Sequence, residues 1–191
     1  MTRPPATGIA RLARFRADGL AAFDASPAGL LNALAPWLAF ALVGFALALA
    51  GGYPRAAIGD LLATVIALLT PAVLSHLLAR IWQREAGWLR YAVAWAWCQW
   101  IMPPALLLAL ILGAALVQLG LPTQAALRLS LLALLGYALA LNGFIARHAL
   151  GLSRWRSTAL VAVVNLGTAA LVTLPVLIQF GLDPAALEQG S

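Results

Sequence analysis

The sequence predicts an all-α membrane protein, a polytopic transmembrane five-helix bundle with an N-terminal amphipathic interfacial helix. Three observations predict this fold: the composition, five long apolar blocks, and the distribution of arginine across the gaps between the blocks. Of the 191 residues, 63% are hydrophobic and 9% are charged, whereas charged residues make up about 25% of an ordinary soluble domain. Because a hydrocarbon core roughly 30 Å thick needs about 20 apolar residues per helix, each block is long enough for one span.

The arginines alternate between dense and sparse gaps along the chain. From the N-terminus, the gaps and tails carry four, one, three, one, three and no arginines, and the chain has no lysine. The dense segments contain Arg3, Arg11, Arg14 and Arg16, then Arg80, Arg84 and Arg90, then Arg147, Arg154 and Arg156; Arg55 and Arg128 are single. Since basic residues concentrate on the cytoplasmic side, the distribution predicts a cytoplasmic N-terminus and an external C-terminus.

The predicted location follows from the same pattern and from residue usage. Alanine, leucine and arginine are frequent and lysine is absent, which is typical of a GC-rich bacterial genome. We therefore expect a multi-pass protein of the bacterial cytoplasmic (inner) membrane with a periplasmic C-terminus.

Residues 1–28 are predicted to form a cytoplasmic amphipathic segment. Helical periodicity over residues 8–23 places Ile9, Leu12 and Phe23 on one face and Arg11 and Arg14 on the opposite face. A basic amphipathic helix of this kind lies along the membrane surface. The alternative is a solvated tail that is only partly helical.

The transmembrane domain is predicted over residues 29–180, followed by a short external tail at 181–191. The pair Ser26-Pro27 is a typical helix start, with serine as N-cap and proline at the first helical position. Pro103-Pro104 interrupts the third block, which predicts a tryptophan-rich interfacial turn that bends into the span proper. The five predicted spans are residues 29–51, 58–80, 92–118, 124–147 and 155–180.

The charged residues are predicted to avoid the middle of every span. The six acidic residues fall in gaps, in tails or at a helix edge: Asp18, Asp24, Asp60, Glu85, Asp183 and Glu188. Charges inside a membrane usually mark ion or proton pathways, so this pattern argues against a proton-coupled transporter and an intramembrane carboxylate hydrolase.

The net charge of +6 is spread over short segments beside helices. That placement favours anionic lipid headgroups at the cytoplasmic face as partners, and not nucleic acid.

Few residues have the spacing that catalysis or metal binding requires. His76, His148 and Cys98 carry zinc- or copper-binding groups, but paired spacings such as HxxxH or CxxC are missing. Ser75 precedes His76, yet neighbours on a helix point about 100° apart and do not face each other. The sequence predicts no catalytic residue, no metal and no cofactor.

The polar and aromatic residues of the spans leave two interpretations open. All seven tryptophans map to the predicted cytoplasmic half, either as an interfacial aromatic belt or as a ligand-binding surface. Asn142, Asn165 and Thr173 either form hydrogen bonds between helices or line a pathway for a substrate. His76, His148, Asn142 and Asn165 are the candidates for a functional polar surface.

Residues 137–165, YALALNGFIARHALGLSRWRSTALVAVVN, resemble the end of the Yip family of membrane proteins, whose name refers to interaction with Ypt/Rab GTPases. The similarity lies in a penultimate span, a short basic loop with His148, Gly151, Leu152 and Ser153, and a final span. Bacterial members of the family often show this arrangement. The Asp-Leu-x-Gly-Pro motif ahead of the first span in eukaryotic members is absent, and this chain has Asp24-Ala25-Ser26-Pro27 there. The resemblance implies five spans and a cytoplasmic N-terminus.

Together these observations predict a non-enzymatic integral membrane protein that acts as a scaffold, assembly or membrane-organising component. A membrane-protein partner or a second copy of the chain is the expected protein contact. The alternative is a small oligomeric permease or channel subunit that uses neutral polar residues. A third hypothesis is an enzyme that acts on lipid headgroups through the cytoplasmic histidines and tryptophans.

Overall fold

The structure is a computed structural model that describes residues 4–181, with the side chains of residues 54–57 and 174–181 excepted. Within that range the chain forms seven α-helices, three short 3-10 segments and no strand, which confirms the all-α prediction. The helices are α1 (Pro5–Leu12), α2 (Pro27–Ala50), α3 (Pro54–Ile81), α4 (Trp88–Cys98), α5 (Met102–Gln118), α6 (Thr123–Leu150) and α7 (Arg154–Gly181). The predicted external tail, apart from Gly181, lies outside the described residues, as do Arg3 and the side chain of Arg55.

Five helical segments are long and apolar enough to cross a membrane, which agrees with the predicted number. They are Pro27–Ala50, Ile58–Ile81, Glu85–Gln118, Thr123–Leu150 and Arg154–Thr173. The third segment contains both α4 and α5, joined by the 3-10 segment Gln99–Ile101. The multi-pass membrane character of the chain rests on these five segments.

The chain divides into two compact units. The first unit contains Met1–Leu34 and Ala79–Val161, and the second contains Ala35–Leu78 and Ala162–Ser191. Helices α1, α4, α5 and α6 belong wholly to the first unit, whereas α2, α3 and α7 each contribute to both.

Helix α4 is the core of the first unit. Every residue from Tyr91 to Ala96, together with Cys98, is less than 10% exposed. Its alanines at 92, 94 and 96 are small enough for neighbouring helices to approach its backbone closely. Helices α1 and α6 pack against α4, so protein covers it on more than one side.

The N-terminal residues form a folded cap on this core, which differs from the predicted helix over residues 8–23. Helix α1 ends at Leu12, the chain reverses, and a separate 3-10 segment follows over Ala17–Ala22. Phe15 lies at the reversal with φ +55°, a conformation that costs a non-glycine residue on the order of 1 kcal/mol. The single amphipathic helix is not confirmed, because its apolar residues Leu12 and Phe23 are buried against the protein itself. We call residues 5–25 the N-terminal cap.

Two glycines allow the halves of the N-terminal cap to touch. A Cβ atom on Gly8 would lie 2.8 Å from the Ala22 Cβ, and one on Gly19 would lie 2.8 Å from the Gly8 carbonyl oxygen. Larger residues at either position would force the two backbones apart. The Arg11 guanidinium also forms an ion pair of 2.8 Å with Asp18 across the same contact.

Aromatic contacts hold the N-terminal cap on α6. The Phe15 ring makes edge-to-face contacts with Tyr137, at a centroid distance of 5.9 Å, and with Phe144, at 5.5 Å. The Tyr137 hydroxyl donates a hydrogen bond of 3.0 Å to the Ala13 carbonyl oxygen. Such ring contacts stabilise by about 0.5–1.5 kcal/mol each, which offsets the strain at Phe15.

The interruption predicted around Pro103-Pro104 is present, but the tryptophan-rich part has a different role from the one predicted. The 3-10 segment Gln99–Ile101 separates α4 from α5, and the two prolines lie in the first turn of α5, where a missing N–H has no helical partner. The preceding residues form α4, whose Trp95 is only 8% exposed. This stretch is therefore a helix and not a turn.

Helices α5 and α6 form a hairpin that is far less buried than α4. They approach at Gly113, where an added Cβ would lie 3.1 Å from the Ser130 Oγ. Ser130 in turn donates a hydrogen bond of 2.9 Å to Ala126 in its own helix. Leucine side chains elsewhere on α5 are exposed, for example Leu107 at 60% and Leu108 at 57%, as expected for residues that face lipid.

In the second unit, α3 and α7 approach each other at Gly167. A Cβ atom added there would lie 2.6 Å from the Leu74 Cδ1. The neighbouring Thr168 donates its hydroxyl to the Val164 carbonyl oxygen of its own helix, at 2.7 Å. A small residue at position 167 is therefore required for this contact between helices.

Candidate functional site

Two arginine-rich segments of the first unit, the one after α3 and the one after α6, meet at one end of that unit. A Cβ on Gly87 would lie 2.6 Å from the Ala149 carbonyl oxygen, and the Arg84 Nη1 lies 3.7 Å from the Cβ position of Gly151. Gly151 ends α6 with φ +63°, the left-handed conformation that glycine adopts without strain. The N-terminal cap packs on α4 and α6, and its contacts with α6 run from Tyr137 to His148. The opposite end of α6 begins at Thr123 and, at 1.5 Å per residue, lies about 40 Å away.

A cavity of about 470 Å³ opens at this arginine-rich end, between the N-terminal cap, α4 and α6. One wall is apolar and comes from the cap, with Leu20, Phe23 and three alanines. The lining of the cavity also includes two basic side chains, Arg90 of α4 and His148 of α6. We call this the Arg90–His148 cavity. Its volume lies in the range of small-molecule sites.

His148 is oriented by its own helix. Its Nδ1 lies 2.9 Å from the Phe144 carbonyl oxygen, and its ring contacts the Phe144 ring at a centroid distance of 4.2 Å. Since a carbonyl oxygen only accepts, Nδ1 carries the hydrogen and donates it. The Nε2 atom is therefore the ring nitrogen that is left for a ligand, as an acceptor in the neutral ring.

Within the described residues, Arg90 shares with Arg84, Arg147, Arg154 and Arg156 the absence of an ion pair, and among these five it is the one that lines the cavity. Among residues 4–181, the ion pairs are Arg11–Asp18, Arg16–Asp18 and Arg80–Glu85. Arg90 therefore has no carboxylate partner in the described part of the chain. It is exposed although the residues that follow it in α4 are buried, so the guanidinium is available to an anion.

The other predicted site residues are distributed over the two units. Asn142 shares α6 with His148 but precedes it by six residues, so the two side chains point about 120° apart. Asn142 is half-buried and does not line the Arg90–His148 cavity. His76 and Asn165 belong to the second unit, where His76 is half-buried and Asn165 is exposed. Asn142 and His148, the two predicted site residues of the first unit, therefore do not share one site.

An apolar groove of about 730 Å³ runs between α5 and α6. It extends from Ile101 at one end to Leu119 at the other, and its polar lining residues are Ser130 and Tyr137. Both hydroxyls already donate to backbone carbonyls. The groove thus presents a hydrocarbon surface and no free polar group from these two side chains.

A smaller cavity of about 340 Å³ lies in the second unit, between α2 and α3. Asp60, Thr64 and Trp37 line it. Asp60 is the seventh residue of α3 and the third of the segment Ile58–Ile81, so it lies near one end of that segment. Thr64 donates to the backbone oxygen of Asp60 at 2.7 Å, not to its carboxylate.

The histidines, the single cysteine and the carboxylates do not assemble into a metal centre in the described part of the chain. No group of three or more such residues lies close enough to hold an ion there. Cys98 is 3% exposed within the α4 core, where it packs as a small apolar side chain.

Sequence reasoning identified His148 but missed Arg90 as its neighbour in the cavity. Arg90 was assigned to topology alone, since it is one of three arginines before the third span. A local signal exists, because Arg90 is the one charged residue of α4. The pairing with His148 depends on how α4 and α6 pack, and nothing in either helix alone encodes that contact.

Comparisons of the chain with models of known protein families, with curated proteins and with solved structures found no match.

Proposed function

We propose that this chain is a non-enzymatic integral membrane protein of the bacterial cytoplasmic membrane that acts as a scaffold, assembly or membrane-organising component. The observation that carries the proposal is the basic surface at one end of the first unit. There, the N-terminal cap is fixed on α4 and α6 while arginines such as Arg90, Arg147 and Arg154 remain exposed. A surface of this kind suits recognition of anionic groups without any covalent chemistry.

The proposal places the arginine-rich end at the cytoplasmic face, with anionic lipid headgroups as its first partners. Two segments that the positive-inside rule assigns to the cytoplasm meet at that end, and residues 17–25 of the N-terminal cap reach it at the Arg90–His148 cavity. Each basic residue near an anionic surface contributes roughly 1 kcal/mol of attraction. A partner membrane protein or a second copy of the chain would then dock against the exposed apolar helices.

Reconstitution of the purified full chain into liposomes tests the non-enzymatic role. We expect no solute flux and no lipid turnover above protein-free liposomes, measured by dye release and by mass spectrometry of the lipids. Turnover that is lost in the His76→Ala/His148→Ala double variant would instead assign an enzyme acting at headgroups. Flux that is lost when Asn142, Asn165 and Thr173 are all replaced by alanine would assign a permease.

A further inference from the structure

We propose that the Arg90–His148 cavity is a binding site for a phosphate ester, with Arg90 on the phosphate oxygens and His148 Nε2 on an adjacent hydroxyl. The inference rests on the proposed function in one respect, the placement of this end of the first unit at the membrane surface. It goes further because it assigns the ligand to one cavity, whereas the proposed function needs only a general attraction between arginines and anionic headgroups.

The first argument is the geometry of the two basic side chains. They come from different helices, α4 and α6, and line one cavity of about 470 Å³. A guanidinium presents donors in a planar fork that matches two phosphate oxygens. Arg90 has no carboxylate partner among residues 4–181, so its binding to a phosphate requires no ion pair to break.

The second argument is the hydrogen-bonding state of His148. Because Nδ1–H donates to the Phe144 carbonyl oxygen at 2.9 Å, the neutral ring offers Nε2 only as an acceptor. An acceptor does not bind a fully ionised phosphate oxygen, but it does bind an O–H group. With a neutral His148 ring, a ligand that satisfies both side chains combines an anionic phosphate with a hydroxyl, as a phosphoglycerol group does.

The third argument is the apolar wall of the cavity. Leu20 and Phe23 line it together with three alanines of the cap, and the two larger side chains are each 8% exposed. A wall of this kind suits the glycerol backbone and first methylene groups of an amphiphile better than a free ion. An anionic phospholipid with a glycerol headgroup has a phosphate for Arg90, a hydroxyl for His148 and an apolar part for Leu20 and Phe23.

The test is equilibrium binding to the full chain in dodecylmaltoside micelles, measured by native mass spectrometry. Dihexanoylphosphatidylglycerol is the amphiphilic probe, dihexanoylphosphatidylcholine lacks the hydroxyl and the net charge, and glycerol 3-phosphate and inorganic phosphate are soluble probes. We expect saturable binding of the phosphatidylglycerol and weaker binding of the other three. If glycerol 3-phosphate binds as tightly, the site still recognises a phosphate ester, and the natural ligand is soluble.

Two pairs of variants separate this site from general surface charge. Arg90→Gln should weaken binding at least about tenfold, since a hydrogen bond to a charged group contributes about 1.5–3 kcal/mol. The matched control Arg14→Gln removes an exposed arginine that does not line the cavity and should leave binding unchanged. Ala21→Trp fills the cavity without altering charge and should abolish binding, whereas Ala10→Trp on exposed α1 should not.

Two results would overturn the proposal. One is equal loss of affinity in the Arg90→Gln and Arg14→Gln variants, which would mean that only overall charge matters. The other is equal affinity for phosphatidylglycerol and phosphatidylcholine, which would mean that only the acyl chains bind. Melting temperatures of the ligand-free variants verify that each one folds, and none of these results depends on the liposome experiment.

Discussion

Helix α4 and helix α5 follow each other in one apolar stretch, yet one is buried by protein and the other is exposed. Residues Tyr91 to Ala96 of α4 are less than 10% exposed, while Leu107 and Ile111 of α5 are 60% and 56% exposed. The 3-10 segment Gln99–Ile101 is the boundary between them. Hydropathy alone does not distinguish the two helices, because lipid and protein interior are both apolar environments.

Helices α4 and α5 differ in the size of their residues and in the number of elements that pack on them. Helix α4 alternates alanine with aromatic and branched residues, so other helices can approach it, and the N-terminal cap does so. Helix α5 is rich in leucine and approaches α6 through Gly113. We therefore expect substitutions in the α4 core to reduce the free energy of unfolding much more than equivalent substitutions on α5.

The largest contrast is expected for leucine truncation. Leu12 of the N-terminal cap is 0% exposed, so Leu12→Ala leaves a cavity in the core and should destabilise the protein by about 2–5 kcal/mol. Leu107→Ala on α5 removes a lipid-facing side chain and should cost less than about 0.5 kcal/mol. Melting temperatures in detergent micelles measure both. Equal losses would mean that α5 is covered by protein as fully as the cap.

A somewhat smaller contrast is expected when alanine is enlarged. Ala94 of α4 is 0% exposed, so Ala94→Leu should overpack the core at a cost of about 1–3 kcal/mol. Ala114→Leu is the matched change on exposed α5 and should be close to neutral. A tolerated leucine at position 94, seen as an unchanged melting temperature, would show that α4 has free space around it.

The smallest expected effect concerns the hydrogen bond between the N-terminal cap and α6. Tyr137→Phe removes the hydroxyl that donates to the Ala13 carbonyl oxygen and should cost about 0.5–1.5 kcal/mol. The control is Tyr53→Phe, because Tyr53 is 67% exposed. Proteolysis within residues 13–17 should also become faster in the Tyr137 variant alone. Similar behaviour of the two variants would argue against a fixed cap.

The sequence was informative about the long helices and much less so about how they pack. Spans depend on block length and hydropathy, which are local properties, so their number and the break near Pro103 were predictable. The reversal at Phe15 was not, because periodicity over residues 8–23 continues through it. A phenylalanine with positive φ is held there by contacts with Tyr137 and Phe144, more than 120 residues later in the chain.

The same reasoning explains which parts of the candidate site were predictable. His148 is a candidate from the sequence because histidine is a metal-binding and hydrogen-bonding residue, and its position at the end of α6 follows from the predicted span boundary. Asn142 was selected as a polar residue in a span, but its separation from His148 on α6 keeps it outside the cavity. Arg90 is a candidate because the N-terminal cap, α4 and α6 enclose one cavity that it lines, and this packing is not readable from the sequence of α4.

The orientation of the arginine-rich end is the central claim, and cysteine labelling tests it most directly. In a Cys98→Ser background, single cysteines replace Ser153, in the exposed loop at that end, and Gln124, at the exposed opposite end of α6. A membrane-impermeant maleimide is applied to right-side-out spheroplasts. The account predicts that the cysteine at position 124 is labelled and the one at 153 is protected until the membrane is permeabilised. Labelling of position 153 with protection of position 124 would contradict it.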